Sequence, residues 1–182
     1  LMALVLTKSL GGLLCLLLAL TLYFFLLKEK RRDKIFLSLG GVLTVTGMIF
    51  LLRMTHATNH THPFFSTTMR LDYWRQAIEV IKSSPLTGVG LGNFNLPLSR
   101  YAHNSYLQIW AEMGILGIAS FLWLILVIFK GAILRLKNSP ELKQNAALLA
   151  ACAAFLAHNF IDFSFFLPEV SLIWWILLGM LL

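Results

Sequence analysis

Apolar and polar stretches alternate along this chain, and the polar ones differ sharply in length. Ser9 to Leu27 and Ile35 to Leu52 are apolar, as are Ile115 to Phe129, Ala146 to Ile161 and Val170 to Leu182. A helix needs about 20 apolar residues to cross the hydrocarbon core of a bilayer. The first two stretches come close to that length. The third reaches it by extending backwards into a helical run from Asn104, and the last two need flanking residues or tilt. The pattern predicts an all-α, polytopic membrane protein of about five transmembrane helices.

Residues 53–104 form one long polar loop inserted between the second and third spans. Within it, Ser66 to Lys82 predicts an amphipathic helix. Trp74, Ala77, Ile78 and Ile81 recur at helical spacing, with Asp72, Arg75, Glu79 and Lys82 elsewhere on the surface. Ser66 or Thr67 can cap it, and Ser83-Ser84-Pro85 ends it. Such a helix can lie along a membrane surface. A glycine-rich run, Gly88-Val89-Gly90-Leu91-Gly92, follows, and then the break near Pro97.

Composition agrees with the pattern. The chain is 58% hydrophobic and only 13% charged over 182 residues, with a mean hydropathy of +0.78. A soluble domain carries about a quarter charged residues. The net charge of +7 raises the question of nucleic acid, but the cations cluster beside apolar runs. They read as topology determinants, so no nucleic-acid partner is expected. The turn Lys28 to Lys34 and the group Lys130, Arg135, Lys137 and Lys143 should be cytoplasmic. That orientation places the 53–104 loop and the turn Asp162 to Glu169 outside. Cys15 and Cys152 lie in apolar runs and carry no redox information. Leu1 to Thr7 reads like the end of an apolar segment, so the chain is expected to be the C-terminal part of a longer membrane domain, 1–182.

The candidate chemistry lies in the outer loop. Arg70 and Trp74 are four apart and share a helix face. Arginine's planar fork binds phosphate oxygens bidentately and stays charged, though a solvated surface charge has the same appearance in sequence. The glycine run lacks the Gly-Lys-Ser/Thr ending of a P-loop, and its third glycine comes too early for a dinucleotide fingerprint. It remains either a turn that brings backbone close to a ligand or helix, with Gly90 as a candidate contact, or a plain connector. His103 precedes a helix, where the partial positive charge of the N-terminus disfavours imidazolium. It is either a neutral base or a capping or core-satisfied histidine. His56, His60 and His62 would suit a metal only on a helix, and Thr58, Asn59, Thr61 and Pro63 predict a loop instead. His158 and Asp162, four apart, are placed to bond on one helix face.

The order Arg70, Trp74, glycine run, then Ala102-His103-Asn104-Ser105-Tyr106-Leu107-Gln108 resembles the O-antigen ligase and polymerase family. The resemblance runs from Thr7 to Gly179 and includes His158 to Phe163 followed by Pro168. It implies a bacterial inner-membrane glycosyltransferase with its active loop facing the periplasm or cell exterior. The implied donor is a glycan on a polyprenyl-diphosphate carrier in the membrane lipid. The implied acceptor is a hydroxyl on lipid A core, a glycan or a protein. His103 matches the histidine thought to activate that acceptor, and Arg70 the second essential arginine. Trp74, Arg75, Gly90 and Asn104 are expected at the substrate. The family's first arginine is replaced by Leu10, which leaves Lys8 as the cation at that end. Asp72, Glu79 and Glu112 are scattered, which argues for arginine-based charge stabilisation with no metal and no cofactor. The rival reading is a transporter or flippase for lipid-linked or anionic substrates, which needs the arginines but no base. A structural membrane subunit is the third.

Overall fold

The computed structural model describes residues 9–27, 36, 39–44, 46–47, 50, 65–97, 99–136 and 140–181. Among them the regular structure is helical, apart from an isolated β-bridge between Leu96 and Ser99. The elements are α1 (Leu10–Leu27), α2 (Phe65–Ser83), α3 (Ser105–Leu136), α4 (Leu142–His158), a 3₁₀ turn at Ser164–Phe166 and α5 (Pro168–Gly179). Lys8, the basic turn 28–34, parts of the expected second span, the three histidines of 56–62 and Lys137 lie outside the described residues.

The chain divides into two compact units. The first contains α1 and α4. Ser9 caps α1, its Oγ accepting the Gly12 amide at 3.1 Å. The helix packs on α4. Leu13 is buried, as are Ala146, Leu149, Ala150 and Cys152 of α4. Small residues on one partner let backbones approach closely. Leu14, Leu18 and Phe25 of α1 are exposed, so this helix presents apolar side chains away from its partner too. A helix apolar all round has no side suited to water.

The second unit contains α2, nearly all of α3, the turn beginning at Asn159, and α5. The inner face of α2 buries Ala77 and Ile81 against Phe94, Leu96, Ala102 and Ala111, with Tyr73, Val80, Leu107 and Trp110 packed around them. Ile78, expected on that face, is exposed. It sits about 100° round the helix from Ala77, and Tyr73 and Val80 fill the stripe instead. Ser66 and Thr67, expected as caps, fall inside the first turn because α2 begins at Phe65.

Among the described residues two helices, α1 and α3, are long and apolar enough to cross a membrane; α5 is apolar but shorter. α3 runs on past the expected end of its span, so Lys130 and Arg135 lie on helix rather than in a loop, and Lys143 lies on α4. Apolar residues Ala132 to Leu134 continue the helical pattern there, and long cationic side chains at a helix end can reach past it to polar surroundings. α4 ends at His158, so His158 and Asp162 do not share a helix face as expected.

α3 is broken at Gly114, whose φ of 69° and ψ of −172° are not helical. Such backbone is essentially restricted to glycine. The glycine-rich loop is spliced into this break. Val89 and Gly90 donate their amides to the carbonyls of Ala111 (2.9 Å) and Glu112 (3.0 Å), and Ile115 donates to Pro85 O (2.9 Å). The carbonyls orphaned by the break thus find donors in the loop. The approach excludes side chains: a Cβ at Gly88 would overlap the Glu112 carbonyl, and one at Gly114 the Leu86 carbonyl.

Candidate active site around His103

The start of α3 is the best-fixed point of the second unit. Asn104 is its N-cap, with Oδ1 accepting the amides of Tyr106 and Leu107, both at 3.1 Å. The Ser105 amide donates to the carbonyls of Asn159 (2.9 Å) and Asp162 (3.0 Å). Ser105 Oγ donates to Asn159 Oδ1 at 2.6 Å. Ser105 and Asn159 are both fully buried. The turn after α4 therefore clamps the first residue of α3.

His103 stands one residue before the cap with φ of 51°, among the described residues the one non-glycine with positive φ. Left-handed backbone at a non-glycine residue is uncommon and persists where neighbours enforce it. Trp74 Nε1 donates to the His103 carbonyl at 3.3 Å. The imidazole stacks on the Tyr73 ring, with centroids 5.3 Å apart, and meets the Phe163 ring edge-on at 4.8 Å. Phe163 is itself stacked on Tyr101 at 4.3 Å. Asp162 holds this turn, its carboxylate accepting the Phe163 amide at 2.8 Å and the Ser164 hydroxyl at 3.0 Å.

Burial lowers the His103 pKa below its ordinary 6.5, and the Arg70 guanidinium lowers it further; the Asp162 carboxylate opposes both. The direction is that expected of a histidine beside a helix N-terminus, but the causes are burial and Arg70. The imidazole is therefore neutral near pH 7 and able to accept a proton. Arg70 lies on the same side of α2 as Trp74. Its Nε is buried and makes no hydrogen bond among the described residues. A buried guanidinium N–H without an acceptor is costly, and a phosphate oxygen is the acceptor its fork fits.

Arg70, Trp74, His103 and Asn104 are thus brought together. Asn104 and Trp74 serve as cap and as carbonyl donor, so both hold His103 in place. Gly90 spends its amide on Glu112, at φ of 96°. Arg75 is turned outward, 81% exposed and paired with Asp72 at 3.6 Å. Tyr73 is missing from the sequence-based site, and Asn159, Asp162 and Phe163 lie in the stretch that the sequence offers as structural first and site support second. Gln108 and Glu112 were missing too, although their spacing of four on a helix is that of a side-chain hydrogen bond.

No curated protein and no solved structure matches the chain. A family model described as O-antigen ligase matches residues 1–122. The matched stretch takes in Arg70, Trp74, the glycine loop, His103 and Asn104, and stops before the Asn159–Phe163 turn. With two thirds of its length in that match, the chain belongs to the O-antigen ligase family.

Proposed function

We propose that this protein transfers a glycan from a polyprenyl-diphosphate carrier to an acceptor hydroxyl during cell-surface polysaccharide assembly. The observation that carries the reading is that Arg70 stands near enough to His103 to lower its pKa, while its own buried Nε has no acceptor among the described residues. The hydroxyl oxygen attacks the anomeric carbon, and the bond from that carbon to the diphosphate oxygen breaks. The acceptor's proton passes to His103, and the diphosphate leaves with the electron pair. A single displacement inverts the anomeric carbon. General-base help of this kind contributes of order 10²–10⁴-fold. Arg70 offsets charge on the departing diphosphate, and Asp162 stabilises the imidazolium that forms. The enzyme acts in the inner membrane with residues 53–104 on the outer side.

The test is glycan transfer in purified full-length protein, with lipid-linked donor and lipid A core, glycan and protein acceptors in turn. His103→Ala should abolish transfer while donor binding survives. Arg70→Lys keeps the charge but loses the fork, and should lower transfer sharply. Wild-type transfer by His103→Ala, or donor movement across the membrane without transfer in the native protein, would favour the transporter reading.

A further inference from the structure

Ala102 is fully buried, and its amide needs an acceptor. That acceptor is Gln108 Oε1 at 3.1 Å. The other end of the same amide, Gln108 Nε2, donates to Glu112 Oε1 at 3.0 Å. Glu112 Oε2 accepts the Gly92 amide at 3.0 Å. Gln108 and Glu112 are 2% and 4% exposed, so water does not replace the two bonds of the Gln108 amide; the Gly92 end of the line is exposed. The polarity is fixed: only an acceptor can face the Ala102 N–H, and only a donor can face the carboxylate. An unbroken line of hydrogen bonds thus runs from the glycine loop to the residue before His103, whose backbone is already held in the left-handed region.

We propose that Gln108 and Glu112 are positioning residues for His103, acting through Ala102 and anchored at Gly92. The inference rests on His103 being the base, but it concerns where the imidazole is held rather than what it does. A displacement of about 1 Å at a reacting group can cost 10²-fold. Gln108→Leu removes both amide bonds at similar size. Glu112→Gln leaves one of its two donors without an acceptor. Gln108→Glu sets two buried carboxylates against each other. The double variant Gln108→Glu with Glu112→Gln is different. The new carboxylate accepts from Ala102 and from the new amide, whose oxygen accepts from Gly92. All three bonds return with roles exchanged.

The experiment uses full-length protein in nanodiscs, with lipid-linked donor and the acceptor found to be active. Each single variant should lower kcat roughly 10- to 100-fold with little change in donor KM, because Arg70 is held on α2. The double variant should recover most of the rate. In parallel, histidine NMR reads the His103 titration, assigned by its loss in His103→Gln. The groups that set it are Arg70 on α2 and Asp162 in the turn after α4. Its midpoint should move in Gln108→Leu and return in the double variant. A double variant no better than the worse single one overturns the proposal. So does an unchanged His103 titration in Gln108→Leu. Because the titration requires no turnover, it decides the matter even if His103→Ala transfers glycan and the base assignment fails.

Discussion

Trp74 donates its indole N–H to the main-chain carbonyl of His103, 29 residues further along the chain. Its neighbour Tyr73 lies against the same residue's imidazole ring. Consecutive residues of α2 therefore grip both the backbone and the side chain of the proposed base. Trp74→Phe keeps the aromatic bulk and removes the donor. A bond of this kind is worth about 1 kcal/mol, or roughly fivefold in rate if it acts only on the transition state. Steady-state transfer kinetics on Trp74→Phe should show that loss in kcat. An unchanged kcat would make the contact purely structural.

The pH dependence has a definite sign. Imidazolium cannot accept a proton, so the transfer rate should rise from acid pH and level off, with its midpoint below 6.5. Removing a neighbouring cation favours imidazolium, so Arg70→Gln should move the His103 midpoint up. Removing a neighbouring anion does the reverse, so Asp162→Asn should move it down. Shifts of opposite sign in a histidine titration are the expected result; equal shifts in one direction would contradict the arrangement of charges.

The splice between the glycine loop and α3 predicts a graded series. Gly88→Ala and Gly114→Ala both meet backbone carbonyls and also adopt positive φ. Gly92 has positive φ too, at 74°, but nothing lies within 4 Å of a Cβ there. Left-handed strain alone costs roughly 1–2 kcal/mol for an alanine, and the overlap adds to it at the first two sites. Thermal denaturation in detergent should show a small loss for Gly92→Ala and much larger ones for Gly88→Ala and Gly114→Ala.

The orientation is tested at Glu79, whose side chain is 71% exposed on α2. A cysteine placed there should react with an impermeant maleimide in cells whose outer membrane alone has been opened. Reaction only after the inner membrane is breached would invert the topology.

Much of this was legible in the sequence because it depends on local pattern. The amphipathic α2, the helix from Ser105 and the places of Arg70 and His103 follow from helical periodicity and capping chemistry. Ile78 was misplaced because it lies about 100° round the helix from Ala77, outside the stripe that Tyr73, Val80 and Ile81 form. The glycine run could be read only as a close backbone approach or a plain connector, because the partner, the break at Gly114, lies outside the loop. Asn159 and Asp162 were unreadable as partners of Ser105 because they are more than fifty residues away. No periodicity reports a contact between segments that distant.

The docking of the glycine loop into α3 is made by main-chain atoms: Val89 on Ala111, Gly90 on Glu112 and Ile115 on Pro85. Such contacts are indifferent to which side chains the participants carry. Drift in the identities of Val89 and Leu91 would therefore leave the joint unmarked. What it records in sequence is a pair of vacancies, Gly88 and Gly114, where no β-carbon fits. A distant homologue would be recognised here by the interval between two missing side chains more readily than by any residue that is present.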